Sequence, residues 1–113
     1  MKEITEVIGT YNEYLSNVPK GTLYIANALR RDDIIQALQA IQDFSEGALW
    51  LSQMSQVFKQ QNILCELDIT KLETYLLEAN TGLENEDYVL VADMFEYEIA
   101  PFFEQISPVQ EVQ

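Results

Sequence analysis

The sequence predicts an all-α single domain, an antiparallel bundle of four to five helices, and three observations carry that reading. Apolar residues recur at steps of three and four through most of the 113 residues. Only four Gly and three Pro interrupt them, and two of the prolines lie in the last thirteen residues, too few breaks for many short strands. Just under half the residues (48%) are apolar, enough to bury a core in a chain near the commonest domain size.

The first stripe is Ile4, Val7, Ile8, Tyr11, Leu15 and Val18. It is expected to end near Asn17, because Pro19 disfavours the helical region at Val18 and Gly21 follows. Thr22 then caps a short second helix carrying Leu23, Ile25, Ala26 and Leu29, with Arg30 and Arg31 on the negative end of its dipole. Asp32 and Asp33 open a third helix, where acids suit free N–H groups. Its stripe runs from Ile34 through Leu38, Ile41, Phe44, Ala48, Leu51 and Met54 to Phe58. Ile35, Leu49, Trp50 and Val57 widen it, as expected of a helix at the centre of a bundle. Gly47 interrupts this helix at a cost of about 1 kcal/mol against alanine, which close packing or a kink would each explain.

A break at Gln60–Asn62 leads to the apolar run Ile63, Leu64, Cys65 and Leu67, which folds back on the core. Thr70 and Glu73 have capping-box spacing, with Asp68 as a rival cap, and open a helix carrying Leu72, Tyr75, Leu76, Ala79 and Leu83. The last helix opens at Glu86–Asp87 and places Tyr88, Val91, Ala92, Phe95, Ile99 and Phe102 on its stripe, until Pro101 bends or ends it. The bundle is thus expected over residues 1–106, with a flexible tail over 107–113. The segments Leu29–Ile35 and Leu83–Val89 align at an offset of 54, each reading as the same tight turn before a helix.

The net charge of −13 is unevenly placed. Residues 1–61 hold seven acids and five bases, whereas residues 62–113 hold twelve acids and one base, Lys71. Such a surface excludes direct binding of nucleic acid or anionic lipid through the second half, because phosphate needs Lys and Arg. It suits a basic protein partner. No apolar run approaches a membrane span, and the acid-bearing N-terminus is no secretory signal, so a cytoplasmic protein is expected.

Catalysis finds little support. Histidine is absent, the glycines at 9, 21, 47 and 82 form no phosphate loop, and Cys65, the single cysteine, lies in an apolar stretch where thiols are inert. The expectation is a protein with no enzyme activity, cofactor or metal. Carboxylates are the one abundant functional group. Asp93 and Glu96 share a helix face, with Glu86 two turns earlier, so an oxygen-ligand cation site is an alternative despite lacking a calcium-loop spacing. Tyr97 falls off the core stripe between Glu96 and Glu98. An exposed aromatic ringed by acids suits a Lys- or Arg-bearing partner, so Asp93, Glu96, Tyr97 and Glu98 are the candidate partner-binding residues.

The segment Asp87–Phe102 (DYVLVADMFEYEIAPF) resembles the C-terminal helix of small uncharacterised helical proteins from Gram-positive bacteria. That resemblance implies a bacterial helical bundle and supplies no function. In size and architecture the chain is also similar to flagellar export chaperones, small bundles that bind an unfolded or helical segment. The reading is therefore a non-enzymatic interaction module: an adaptor, chaperone-like protein or regulator. A nucleic-acid mimic, with carboxylates in rows imitating phosphates, is the other alternative. The oligomeric state is left open by the sequence.

Overall fold

A computed structural model describes residues 2–110. Its order is α1 (Lys2–Arg30), α2 (Ile34–Gln60), α3 (Ile69–Glu84), α4 (Tyr88–Met94), a π-helical turn (Phe95–Ile99) and α5 (Ala100–Glu104). The last three run on as one helical stretch. The expected all-α single domain is present, with no strand among the described residues, in a rod of 48 × 21 × 20 Å.

α1 corrects two expectations. It does not end near Asn17, and no separate helix starts at Thr22; one helix runs through Pro19. Pro19 lacks the amide that would bond the Leu15 carbonyl. The packing compensates: Ile8, Tyr11, Leu15, Val18, Thr22, Ile25 and Leu29 are all buried at alternating steps of three and four. Thr22 belongs to that stripe, its hydroxyl donating to the Pro19 carbonyl at 2.7 Å. A polar residue in the seam hid the continuity from sequence reading.

α1, not α2, is the central helix, packing on α2, α4, the π turn and α5, while α3 packs on α4. α2 turns Ala37, Ile41, Phe44, Ala48, Leu51, Ser55 and Phe58 inward. Leu38, expected on the core stripe, and Ile35 and Leu49, expected to widen it, are exposed, because they lie to the side of the buried face of α2. Gly47 marks close packing, since an added Cβ would overlap the Tyr14 phenol resting on it. The Trp50 ring lies 6.1 Å from that of Tyr11 and 6.2 Å from that of Tyr14. Inside, the Tyr11 hydroxyl lies 2.9 Å from Ser55 Oγ and 3.2 Å from Cys65 Sγ, and Ser55 Oγ donates to the Leu51 carbonyl at 2.7 Å. Burial pushes the Tyr11 phenol well above its usual pKa.

Three helix ends share one device. Asp32, Asn62 and Glu86 adopt φ of 63°, 60° and 55°. The next amide reaches five residues back in each case: Asp33 to Ala28 at 2.9 Å, Ile63 to Phe58 at 2.8 Å, Asp87 to Gly82 at 2.8 Å. This is the Schellman closure, built without glycine. Asp32 and Glu86 therefore close helices and do not open them. The expected 54-residue echo is thus two copies of one turn. Of the following residues, Asp87 caps with its side chain, accepting from the Leu90 amide at 3.2 Å, whereas Asp33 does not. α3 is capped by Asp68, the rival, which accepts from the Lys71 amide at 3.1 Å; Thr70 lies inside the helix.

The final segment also departs from expectation. Residues 107–110 do not form a loose tail. The Asn12 side-chain amide clamps Val109 at both ends, donating to its carbonyl at 2.9 Å and accepting from its amide at 2.8 Å. Glu66 accepts from the Ser107 amide at 2.8 Å, and Val109 is buried. Residues 111–113 lie outside the described residues.

Candidate functional site

The site begins with Pro101. Without an amide, it cannot bond the Tyr97 carbonyl, and its ring crowds that turn. The chain widens just before it, and the Ala100 amide reaches the carbonyl of Phe95, one residue further back than in an α-helix. One extra residue enters the turn, so the apolar stripe slips by one. Phe103, not Phe102, is the buried ring, 6.0 Å from Phe44, which also packs on Phe95 at 5.4 Å. Phe102 is half-buried against Tyr75, 5.5 Å away.

The same turn holds Tyr97 out, 66% exposed, beside exposed Glu98. Asp93 and Glu96 behave differently. Arg30, at the end of α1, donates to Asp93 Oδ1 at 3.1 Å and to Glu96 Oε1 at 2.7 Å. The hydrogen bond to Glu96, reinforced by Asp93, raises the Arg30 pKa above its ordinary value. Water competes for such an exposed network, so its main effect is geometric: it joins the end of α1 to α4 and partly offsets both carboxylates. The four candidate residues are therefore brought onto neighbouring turns, two engaged and two open.

A groove of about 340 Å³ adjoins them, between the paired turns. Leu29, Tyr88 and Val89 line it, and Asp32, Glu86 and Asp87 rim it together with Arg30. The sequence pattern places those acids at helix starts and Arg30 on the helix dipole. The 54-residue echo was the available signal, because two copies of one acidic turn end up facing each other across Arg30.

Glu86 belongs to this groove, while Arg30 occupies the space between Asp93 and Glu96. Among the described residues, no three His, Cys, Asp or Glu side chains group closely enough to hold a metal ion. Arg30 thus pairs with one carboxylate of α4, Asp93, and one of the π turn, Glu96. Two other grooves lie apart from these acids: about 270 Å³ between α1 and α2 beside Tyr14 and Tyr24, and about 420 Å³ beside Pro108. Neither gathers more than one carboxylate. Cys65 is half-buried and engaged with Tyr11 and Ser55. No described helix is long and apolar enough to cross a membrane.

The fold and site thus define a small all-α domain whose most elaborated surface is acidic. A family model described as a domain of unknown function (DUF8042) matches residues 6–109. The chain belongs to that family, and the match ends at Val109, the residue clamped by Asn12. No curated protein and no solved structure matches the chain.

Proposed function

We propose that this domain is a non-enzymatic protein-interaction module, an adaptor or chaperone-like regulator of the bacterial cytoplasm. Its acidic surface, running from the paired turns to the π turn, would receive a basic segment of a partner protein. The groove carries this reading: an apolar floor with exposed Val89 lies under a rim of Asp32, Glu86 and Asp87, close to exposed Tyr97 and Glu98. A Lys or Arg stem lies along the floor while its head meets the rim, and Tyr97 supplies an aromatic anchor. Asp93 and Glu96 orient Arg30 and shape the middle of the surface, a role different from direct capture.

Affinity capture from the encoding organism, with wild type beside Glu86→Lys, Glu98→Lys and Tyr97→Ala, tests the reading. The expected result is a partner retained at low salt, weakened by added salt and lost in each variant. A partner held equally by all four proteins, or none held by wild type, removes this surface from consideration.

A further inference from the structure

The groove between α1 and α2 is held open by a residue that packing does not require. Its α1 flank carries Tyr14, Asn17, Gly21 and Tyr24, which follow one another at steps of three and four. Gly21 lies inside a helix, where only proline is less favourable. A Cβ at that position would meet nothing within 4 Å, so no neighbour demands the glycine. Ala40, on the α2 side, is small as well. Between them runs a trough of about 270 Å³, floored by the buried side chains of Val18, Ile25 and Phe44.

The two ends of the trough differ. At one, the Tyr14 phenol rests on Gly47, and Asp43, one turn earlier on α2, lines the same end. Burial and the Asp43 carboxylate together push the Tyr14 pKa up, which marks the two groups as electrostatic neighbours. Asp43 is the one charged residue in the lining. Among the described residues it forms no ion pair, and it accepts only a long hydrogen bond from Gln39 Nε2 at 3.3 Å. Asn17 has committed its Nδ2 to the Glu13 carbonyl at 3.0 Å, which leaves its oxygen to accept. Carboxylate, amide oxygen and phenol oxygen offer three acceptors to the three N–H donors of a primary ammonium. The other end, about 15 Å along α1, is Tyr24. It is 46% exposed, with neither a ring contact nor a side-chain hydrogen bond among the described residues.

We infer that this groove binds a small primary amine with an apolar tail, an alkyl- or arylalkylamine. The ammonium sits among Asp43, the Asn17 oxygen and the Tyr14 phenol. The tail lies over Val18 and Phe44, passes through the gap at Gly21 and ends on the Tyr24 ring. A single carboxylate selects a monoamine over a polyamine, and the net charge of −13 draws cations towards the surface. A lysine side chain shares the ammonium and part of the tail, but ends in two amides where the groove is apolar.

Titration of the full chain with n-hexylamine hydrochloride at moderate salt, read by Trp50 fluorescence, is the test. Trp50 is the single tryptophan, and its ring lies 6.2 Å from that of Tyr14, so its emission reports the ammonium end. The expected result is a saturable change with a dissociation constant on the order of 1 mM, absent with sodium chloride at equal ionic strength. n-Hexanol keeps the tail without the charge, and ethylamine the charge without the tail; each binds about tenfold more weakly. Nα-acetyl-lysine amide is also weaker than n-hexylamine, which separates a free amine from a partner's lysine. Gly21→Leu fills the trough and abolishes the response without lowering the melting temperature, since leucine suits a helix better than glycine. Asp43→Asn and Tyr24→Ala each weaken binding by about fivefold. Tyr97→Ala leaves it unaltered, which separates this groove from the acidic surface. A wild type with no saturable response overturns the proposal. So does equal binding of n-hexanol, tighter binding of the blocked lysine, or wild-type binding by both Asp43→Asn and Tyr24→Ala.

Discussion

Two helical stretches carry an internal proline, and they respond to it in opposite ways. Around Pro19 the helix and its period continue, because residues 8–29 form an unbroken buried stripe that a break would take apart. Before Pro101 the helix widens by one residue and the buried positions slip from Phe102 to Phe103. The difference lies in what surrounds each proline. Pro19 sits mid-way along the central helix, gripped by neighbours on both sides of the break point. Pro101 is the second residue of the short α5, and among the described residues a non-helical segment follows it. A proline therefore reports a lost donor, and the packing decides whether the helix absorbs the loss or changes register.

The largest expected effect sharpens that comparison directly. Phe103→Ala should destabilise the domain by about 3–5 kcal/mol, as for a fully buried ring, and Phe102→Ala by distinctly less. Chemical denaturation of both variants checks this. Equal costs, or the reverse order, would restore the uninterrupted α-helical register.

A pH series contrasts the polar pocket of the first half with the apolar core of the second. The folded pKa of Tyr11 is raised, so its contribution is fully present below the ordinary value of 10.0 and is lost as pH rises above it. Wild type should lose about 1 kcal/mol between pH 9 and pH 11 relative to Tyr11→Phe. Parallel stability curves for the two proteins would show that the phenol ionises as easily folded as unfolded.

The smallest effect concerns the matched turns. Glu86→Gly should stabilise by about 1 kcal/mol, because a left-handed glutamate is strained where glycine is not, and Asp32→Gly by less, since aspartate tolerates that region better. Thermal melts of the pair check the order. A loss of stability in both would mean the acids themselves hold the turns.

Much of the fold was legible from spacing alone: the inner stripe of α2 apart from exposed Leu38, the presence of α3, and the fold-back at Ile63 and Leu67, from which Leu64 points out exposed. The continuity of α1 was not, because Pro19, Gly21 and Thr22 each carry a local stop signal that long-range packing outweighs. The register after Phe95 was hidden for a similar reason, since a π turn arises from Pro101 acting on the preceding turn. Within the site, the exposure of Tyr97 followed from its place off the stripe. The capture of Asp93 and Glu96 by Arg30 joins residues more than sixty positions apart, and no local pattern encodes it. The clamp of Asn12 on Val109 is equally distant in sequence.

Two exposed regions also differ in kind: an acidic one at the paired turns and π turn, and the apolar side chains Ile35, Leu38 and Leu49 on α2. A photo-cross-linking phenylalanine analogue placed at Tyr97 in the full chain, in cells of the encoding organism, tests the central claim most directly. The account predicts an adduct with a different, basic protein from position 97, absent when the same analogue replaces Leu49. No adduct at position 97, or the same adduct from both positions, would contradict it.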